Sequence, residues 1–430
     1  MQERQAKVSE IEPALEVKDT SKPIRVFSLS LNGVTVELCS IGASITKIIL
    51  PKSDGSTGID DIVLGYKSPV EMYESGNPPF LGVIVGRVAN RIGRGIFSLD
   101  GNDYKVAINS DTNHLHGGVR GFSRCLWDME IVEEVPTKDG CNGHKGVKCS
   151  LLSPDGDQGY PGSILVTAIY TLVPSNDSGT GVLLRLNMTA TLQGDKPTPI
   201  NLAQHTYFNL GGHDNPDGIL EHKLKLACNS FTPTDATFIP TRSVVKVEDD
   251  PAMDLRKGTT MRDSLKLFAV SKAGLTNDDA LKHVQSSLRS GSTIAKSGAN
   301  CLTPGQPYGF DHNYLVHSAP KESGLSLVGS VEHEESKRVM KVYTTAPGVQ
   351  VYTGNYLDGV NPSPQICKDG AVYGQWQGFC LETQTFPDGI MSLEEEATYP
   401  EFSQGKCFIL RPGGADYTHT VAYSFETMGC

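Results

Sequence analysis

One stretch decides the fold class of this chain: Leu184-Arg185-Leu186-Asn187-Met188-Thr189-Ala190-Thr191-Leu192 alternates apolar and polar residues throughout. A period of two predicts a β-strand with one buried face. The same alternation recurs in residues 164–173 and 223–228. Turn-forming residues separate such runs, and Asp100-Gly101-Asn102-Asp103, which stands between the β-prone runs 96–99 and 104–106, predicts a hairpin. Together with 45 glycines and 25 prolines, these patterns predict an all-β fold, a large antiparallel β-sandwich with few short helices.

Helical signal is sparse by comparison. Residues 278–288 carry apolar side chains at 281, 284 and 288 and acidic residues in the first turn, which predicts a short surface helix. A Ser/Gly-rich loop at 289–307 is expected to follow it. We expect residues 1–22 to form a loosely ordered, flexible tail. The remainder, 23–430, is expected to be a single domain with an insertion around 265–307.

Composition narrows the classes of function. The chain has 430 residues, of which 38% are apolar and 20% charged, an ordinary globular balance. The net charge is -11 and no Lys/Arg-rich stripe stands out, so we expect no nucleic-acid partner. No apolar run approaches the ~18 residues of a membrane span, and residues 1–22 lack the apolar core of a signal peptide. We therefore expect a cytoplasmic protein without a membrane partner.

The ten cysteines favour the same compartment. Several of them, such as Cys39, Cys228 and Cys380, lie inside apolar runs, which predicts reduced, buried thiols rather than a disulfide framework. Another group, Cys141, His144 and Cys149, lies close together in a Gly/Lys-rich stretch. A structural zinc site needs about four ligands, so a surface loop is expected here instead of a metal site.

Two polar residues interrupt apolar runs far apart in the sequence. His205 lies in Leu202-Ala203-Gln204-His205-Thr206-Tyr207-Phe208, and Glu382 lies in Phe379-Cys380-Leu381-Glu382-Thr383. Desolvation in such a run raises the pKa of a carboxyl group toward the range of a general base, and a nearby histidine can act as the matching acid. This pairing indicates a proton-transfer enzyme. Taken singly, either residue can instead be structural, with its polar atoms satisfied by the backbone.

Further polar residues in comparable runs extend the candidate site. They are Arg91, His116, Asp311 and Gln350. Arginine, carboxylate and amide groups recognise several hydroxyls at once, which is what a sugar presents. Alternatives remain open from the residues alone. Asp311 can be a turn residue, Asn90-Arg91 a structural pair, and His114 with His116, two residues apart on one strand face, a metal-binding pair.

The ordered set of motifs resembles the aldose 1-epimerase (galactose mutarotase) family from about residue 25 to residue 425. In chain order the motifs are Asn90-Arg91-Ile92, Leu115-His116-Gly117-Gly118, Ser153-Pro154-Asp155-Gly156 with Gly159-Tyr160-Pro161-Gly162, Asn201-Leu202 with His205-Thr206-Tyr207-Phe208-Asn209-Leu210, Asp311-His312-Asn313, Val351-Tyr352-Thr353-Gly354-Asn355, Leu381-Glu382-Thr383-Gln384 with Phe386-Pro387-Asp388, and Leu410-Arg411-Pro412-Gly413. Each motif is weak alone, whereas the ordered set is specific.

The resemblance implies a single β-sandwich that holds a free aldohexose such as galactose or glucose in an open cleft. It assigns Glu382 as general base and His205 as general acid, with His116 as the alternative acid. Ring opening and reclosure would interconvert the α and β anomers, and no metal or organic cofactor is implied. The substrate-binding positions carried over are Asn90, Arg91, His116, Tyr207, Asp311 and Gln350.

Several alternatives stay open. A hexose-6-phosphate 1-epimerase on the same scaffold would need extra cations around the cleft, and Arg87, Arg91 and Arg94 are available in the sequence. A noncatalytic sugar-binding protein or a glycosidase using Asp311 and Glu382 are further possibilities. The segments 265–307 and 359–377 look longer than the family requires, which leaves the preferred aldose open. We expect a monomer or a weak homodimer.

Overall fold

The computed structural model describes residues 5–428 with the exception of 12–13, 18–19, 21, 53–58, 136–142, 176–180, 274–275, 277, 280–307, 321–323 and 392–399. Antiparallel strands dominate this part of the chain, which confirms the all-β prediction. The strands are β1 Lys7–Glu10, β2 Val26–Leu31, β3 Val34–Cys39, β4 Ser44–Pro51, β5 Ile59–Asp61, β6 Val83–Val85, β7 Arg91–Ile92, β8 Ile96–Leu99, β9 Asn102–Lys105, β10 His114–Leu115, β11 Asp128–Val132, β12 Gly146–Ser153, β13 Ile164–Pro174, β14 Val182–Leu192, β15 Thr198–Ile200, β16 Ala203–His205, β17 His222–Leu226, β18 Ser230–Thr232, β19 Val245–Lys246, β20 Asp311–Leu315, β21 Ser326–His333, β22 Arg338–Thr344, β23 Gly348–Tyr352, β24 Cys380–Gln384, β25 Phe408–Leu410 and β26 Tyr417–Thr427.

Three sheets form the body of the fold. The largest has eight strands in the order β11-β12-β13-β14-β26-β22-β21-β17, and the others have five strands each, β1-β2-β3-β4-β5 and β19-β18-β20-β23-β24. Short two-stranded pairs, β7 with β10 and β6 with β16 among them, complete the architecture. The alternating stretch Leu184–Leu192 makes up all but the first two residues of β14, and the alternation puts every second residue of the strand from Val182 to Ala190 in the interior.

The three sheets share one hydrophobic core. A single cluster of buried side chains contains Phe27 of β2, Tyr170 of β13 and Val349 of β23. Alternation along β24 directs Leu381 into this cluster and Glu382 to the opposite face. The sandwich therefore packs one face of the β20-β23-β24 strands and leaves the other face to build a site.

The predicted hairpin is confirmed. β8 and β9 pair with Leu99 opposite Asn102, and the two residues between them, Asp100 and Gly101, both have positive φ, 52° and 76°. This is the conformation that a two-residue turn with the right-handed twist of the flanking strands requires.

The helices are α1 Pro69–Ser75, α2 Met261–Ala273 and α3 Pro400–Ser403 among the described residues. The sequence analysis missed α2, although its buried residues Met261, Leu265, Phe268 and Ala269 have helical spacing. The predicted helix at 278–288 and the loop at 289–307 lie outside the described residues except for positions 278–279.

The N-terminal segment also differs from the expected tail. β1 pairs antiparallel with β2, Lys7 opposite Ser30 and Glu10 opposite Phe27, and Ala6 is buried against the core. Backbone pairing therefore fixes residues 7–10, while the proposed division into a tail and a single domain stays a prediction. Of the helices in the described part of the chain, none combines the length and the hydrophobicity needed to cross a membrane.

Candidate active site

A cavity of about 320 Å³ opens over the outward face of the β20-β23-β24 strands, a volume in the range of small-molecule sites. All eight residues singled out from the sequence line it: Asn90, Arg91, His116, His205, Tyr207, Asp311, Gln350 and Glu382. Twelve further residues complete the wall: Pro78, Pro79, Phe80, Ser110, Asp111, Leu115, Phe238, Tyr352, Tyr356, Leu357, Asp358 and Asn361. One of these, Asn361, belongs to the segment 359–377, which looked longer than the family requires.

Sheet register positions the acidic and amide groups of the cavity floor. Gln350 of β23 is the direct cross-strand partner of Glu382 of β24. On the other side of β23, Gln350 is opposite Asn313, so Asp311, two residues before Asn313, points to the same face. The candidate base is thus held in the middle of a sheet, which is a more rigid support than a loop.

His205 reaches the same floor from the end of β16, where it pairs with Val83 of β6. Its Nε2 lies 3.6 Å from Oε1 of Glu382, and the two side chains are only 5% and 2% exposed. The distance exceeds a normal hydrogen bond, but catalytic contacts commonly tighten when substrate binds. Imidazole and carboxyl group can therefore both reach one bound molecule.

Burial shifts the pKa of each of these groups toward its neutral form. Desolvation, followed by the negative charge of Asp311, raises the pKa of Glu382 well above its usual range, and the Arg91 guanidinium partly offsets this. Burial lowers the pKa of His205 to about 4. Burial, with smaller contributions from His205 and Arg91, also holds the pKa of His116 well below its usual range. A carboxylate of raised pKa is a stronger base and an imidazolium of lowered pKa a stronger acid, so the pair suits proton transfer.

Arg91 and His116 enter the cavity from the short β7–β10 pair. Arg91 is opposite Leu115, and the N–H of His116 donates to the carbonyl of Asn90 over 3.0 Å. Asn90 and His116 both have left-handed backbone conformations, with φ of 62° and 49°. Such conformations cost energy in residues other than glycine and cluster at functional sites.

Backbone contacts also fix the His116 ring. The N–H of Asn90 donates to Nδ1 of His116 over 3.2 Å, so the proton of the neutral ring is on Nε2. The next residue, Gly117, has φ of 82°, and a Cβ there would lie 1.8 Å from the Gly86 carbonyl oxygen. Only glycine fits, which gives the Leu-His-Gly-Gly motif a physical reason. The result is a hydrogen-bond donor beside His205, whose ring centroid is 5.3 Å away.

The Arg91 side chain is oriented by an aromatic ring. Its Cζ lies 4.6 Å from the ring centroid of Phe238, a cation–π contact. Among the described residues no carboxylate pairs with this guanidinium within 4.0 Å, so its N–H groups remain available to oxygen atoms in the cavity.

Gln350 and Asp311 form a pair on the cavity wall. Nε2 of Gln350 donates to Oδ1 of Asp311 over 2.6 Å, which leaves Oε1 of Gln350 buried without a hydrogen-bond partner in the structure. Oε2 of Glu382 is in the same state. Buried acceptors without partners are rare in folded proteins, and these two line a cavity where hydroxyl groups of a ligand can reach them.

Aromatic residues that the sequence analysis did not single out shape the rest of the wall. The Phe80 ring centroid is 4.9 Å from that of His116 and 5.9 Å from that of His205, so Phe80 keeps water from both imidazoles. Tyr207 uses its hydroxyl to donate to the Pro79 carbonyl over 2.9 Å and therefore presents its ring rather than its oxygen. Tyr352 was detectable, because it follows Gln350 by two residues in a strand and shares its face; Phe80 and Phe238 leave no such signal.

Comparisons with known proteins give the family of the chain. The family described as aldose 1-epimerase matches residues 25–423. The chain belongs to the aldose 1-epimerase family. It is 35% identical over 403 residues to the galactose mutarotase of Rattus norvegicus, covering 94% of both chains. It is 32% identical over 405 residues to the aldose 1-epimerase of Escherichia coli, covering 94% of this chain and 96% of that one.

A solved structure supports the fold assignment. The galactose 1-epimerase of Lactobacillus acidophilus has a TM-score of 0.68 at 24% identity and covers 99% of both chains. This likeness confirms that the sandwich is of the galactose mutarotase type, as the resemblance implied.

The arginines in and near the motif Asn90-Arg91-Ile92 differ in their burial and in whether they line the cavity. Arg87 is buried, 1% exposed, and its guanidinium donates to the carbonyls of Pro161 and Gly162 over 2.8 and 2.7 Å. Arg94 is exposed and does not line the cavity. Among the described residues of the cavity wall Arg91 is the one Lys or Arg side chain, and the acidic side chains there are Asp111, Asp311, Asp358 and Glu382.

One group of side chains in the described residues can hold a metal ion. Ligand atoms of His116, His205 and Glu382 lie within 4.8 Å of one another, the spacing of a two-histidine, one-carboxylate centre. The same three groups are those assigned to sugar binding and proton transfer. A metal ion and the acid–base chemistry therefore compete for the same atoms.

The other metal hypotheses find no support. His114 does not share a site with His116, because its Nδ1 is 2.7 Å from the Ala107 carbonyl and its Nε2 is 2.6 Å from the Tyr160 hydroxyl. Cys149 is buried in the core, and Cys141 lies outside the described residues. None of the seven described cysteines forms a disulfide, and only Cys125 among them is not fully buried, which confirms the expectation of buried thiols.

Proposed function

We propose that this chain is an aldose 1-epimerase that interconverts the α and β anomers of free hexoses such as galactose and glucose. The observation that carries the proposal is the buried contact between Nε2 of His205 and Oε1 of Glu382, 3.6 Å apart, on the floor of a cavity rich in hydrogen-bonding groups. The names of the relatives, a galactose mutarotase and an aldose 1-epimerase, support the same reaction.

Ring opening needs one proton removed and one proton delivered. Glu382 takes the proton of the C1 hydroxyl while His205 protonates the ring oxygen, and the C1–O5 bond breaks to give the open-chain aldehyde. Rotation about the C1–C2 bond presents the other face of the carbonyl group. Reclosure returns both protons and yields the other anomer, so neither a redox step nor a cofactor enters the balance.

The pKa directions support a pair that works both ways. Burial favours protonated Glu382 and neutral His205, which is the arrangement that ring closure needs, since the carboxyl group then protonates O1 while the imidazole deprotonates O5. Ring opening starts from the opposite arrangement and ends in this one. Anomerisation passes through both steps, and the pair carries one proton in either arrangement, on His205 before ring opening and on Glu382 after it.

The other substrate-binding residues complete the proposal. Arg91 and the Nε2–H of His116 are donors suited to sugar oxygens, whereas Asp311 and Oε1 of Gln350 are acceptors suited to sugar hydroxyls. Asn90 and Tyr207 are proposed to complete the binding surface through an amide and an aromatic ring.

Charge argues for a free sugar over a sugar phosphate. The cavity wall has four acidic side chains and one arginine, and Arg87 is committed to backbone carbonyls. A phosphate dianion needs several cations or a cluster of backbone N–H groups. A purely sugar-binding role is disfavoured by the pKa-shifted acid–base pair, which binding alone does not require.

A comparison of substrates tests this choice. The decay of optical rotation of fresh α-D-galactose, α-D-glucose and α-D-glucose 6-phosphate is followed with the same enzyme sample. Acceleration with the free sugars and little with the phosphate is expected. Faster conversion of the phosphate would favour the hexose-6-phosphate alternative, and binding of sugar by isothermal titration calorimetry without acceleration would favour the noncatalytic one.

Three further expectations accompany the proposal. Residues 23–430 are proposed to act as one domain, the protein as a monomer or weak homodimer, and the compartment is proposed to be the cytoplasm. The free thiols of the described cysteines are consistent with a reducing compartment. Light scattering coupled to size-exclusion chromatography measures the oligomeric state directly.

A further inference from the structure

Asp388 lies outside the cavity and forms hydrogen bonds with the backbone around Arg91. Its backbone N–H donates to the Arg91 carbonyl over 2.8 Å, and its Oδ1 accepts the N–H of Gly93 over 2.8 Å. The carboxylate is almost completely buried, 3% exposed. Two hydrogen bonds from one residue therefore fix the backbone on both sides of Ile92 and with it the root of the Arg91 side chain.

The same carboxylate also holds the loop beneath the Arg91 guanidinium. Oδ2 of Asp388 pairs with Nη2 of Arg242 over 2.7 Å, and the Arg242 guanidinium stacks on Phe402, with 5.1 Å from Cζ to the ring centroid. Arg242 lies four residues after Phe238, the ring on which the Arg91 guanidinium rests at 4.6 Å.

The loop that carries both Phe238 and Arg242 is internally braced. Oδ1 of Asp235 accepts the N–H groups of Thr237 and Ile239 over 2.8 and 3.1 Å, which closes a tight turn around Phe238. Motion at Arg242 is thus transmitted to Phe238 through a short, rigid segment. Asp388 therefore holds both the backbone of Arg91 and, through Arg242, the Phe238 ring that contacts the Arg91 guanidinium.

Asp388 is also connected to the candidate base. It follows Glu382 by six residues, and the segment between them is held in place by the N–H of Phe386, which donates to the Gly405 carbonyl over 2.9 Å. One segment therefore carries both Glu382 and the anchor of Arg91.

We propose that Asp388 is a positioning residue that sets the location of the Arg91 guanidinium relative to Glu382. The proposal rests on the proposed function, in which Arg91 binds the sugar. A displacement of about 1 Å at a group that positions substrate can lower turnover about 100-fold, so loss of this anchor affects catalysis and not only stability.

The test is a double-mutant cycle between Asp388 and Arg91, measured as kcat and KM for mutarotation of α-D-galactose. Asp388→Ala removes both side-chain contacts, whereas Asp388→Asn keeps an acceptor for Gly93 and loses the charge that pairs with Arg242. We expect Asp388→Ala to lower kcat/KM about 10- to 100-fold when Arg91 is present, with a smaller loss for Asp388→Asn. In an Arg91→Met background the same substitution is expected to have little further effect.

A matched control separates positioning from general stability. Asp60→Asn breaks a comparable contact, 2.6 Å from Oδ2 to Nη2 of Arg338, at residues that do not line the cavity. This variant is expected to lower the thermal midpoint without changing KM. If Asp388→Ala does not fold, Asp388→Asn and Arg242→Met carry the same cycle.

The outcomes discriminate between the two proposals. Equal losses in the Arg91 and Arg91→Met backgrounds would overturn the positioning role of Asp388 and leave the epimerase proposal intact. An unchanged kcat/KM in a folded Asp388→Ala protein would do the same. A wild-type protein that does not accelerate mutarotation of any tested aldose would overturn both proposals.

Discussion

Replacement of the two cavity histidines by asparagine separates their roles. Asparagine places its side-chain amide near the position of Nδ1 and leaves nothing at Nε2. In wild type the Asn90 N–H donates to Nδ1 of His116 over 3.2 Å. His116→Asn can keep an acceptor for this N–H but loses the Nε2–H donor that faces the cavity. In His205→Asn the Nε2 atom, which lies 3.6 Å from Oε1 of Glu382, is removed. A polar atom remains near the position of Nδ1, which lies 3.6 Å from Sγ of Cys380. The two substitutions are therefore chemically matched.

Their expected costs differ because only one histidine is assigned to proton transfer. Loss of a general acid costs about 10²–10⁴ in kcat, or about 2.7–5.4 kcal/mol at 1.36 kcal/mol per tenfold change. Loss of one uncharged hydrogen bond costs about 0.5–1.5 kcal/mol. We therefore expect His205→Asn to lower kcat by at least about 100-fold, whereas His116→Asn changes kcat/KM by about 2- to 13-fold.

The assay is the polarimetric decay of fresh α-D-galactose over a range of sugar concentrations, with circular dichroism to verify the fold of each variant. A larger loss of kcat in His116→Asn than in His205→Asn would refute the assignment and make His116 the acid.

Three further predictions address the charge state, the scaffold and the metal question. Burial raises the folded-state pKa of Glu382, so wild type loses stability as the pH rises from the unfolded pKa of about 4.3 through the folded pKa. The thermal midpoint of Glu382→Gln should therefore exceed that of wild type by a margin that grows over this pH range. A margin that shrinks as the pH rises would contradict the prediction. Arg87→Met should cost about 3–5 kcal/mol in urea unfolding, since it leaves several buried carbonyl groups without their hydrogen-bond donor, whereas the exposed neighbour Arg94→Met should stay within about 0.5 kcal/mol of wild type. Extended dialysis against EDTA should leave the mutarotation rate unchanged, because proton transfer by Glu382 and His205 uses no metal; loss of activity that zinc restores would instead assign a metal to His116, His205 and Glu382.

The period-two pattern was sufficient to predict the sheets. The strand at residues 182–192 and the hairpin at Asp100-Gly101 follow from alternation and turn chemistry, which are local properties of the sequence. The helix Met261–Ala273 also had a local signal, in its apolar spacing and in Thr260, whose Oγ1 accepts the N–H of Asp263 over 3.2 Å. The helix was predicted instead at 278–288, where acidic residues in the first turn give a helix-start signal.

The strand Lys7–Glu10 could not be predicted from its own residues. Its residues, Lys7-Val8-Ser9-Glu10, are mostly polar and exposed. The strand is ordered by backbone pairing with β2, a contact between segments separated in sequence. Propensity alone underestimates such edge strands, because their stability comes from a partner.

The candidate site likewise contains residues that the sequence could predict and residues that it could not. Glu382, His205 and Gln350 are polar residues in buried strands, a conflict visible in the sequence. Arg87 was counted as a possible phosphate ligand, and only the fold shows its guanidinium among the carbonyls of the Pro161-Gly162 turn. Phe80 and Phe238 are loop residues with φ of 63°, and Asp388 acts through contacts to residues about 150 and 300 positions away, for which no local pattern exists.

The most direct test of the account is the optical rotation of freshly dissolved α-D-galactose in the presence of wild type and of Glu382→Gln, with both proteins shown to be folded. The account predicts that wild type speeds the decay to the same equilibrium rotation and that Glu382→Gln loses about 10²–10⁴ of this acceleration. Activity of a folded Glu382→Gln protein close to that of wild type would contradict the assignment of Glu382 as the base.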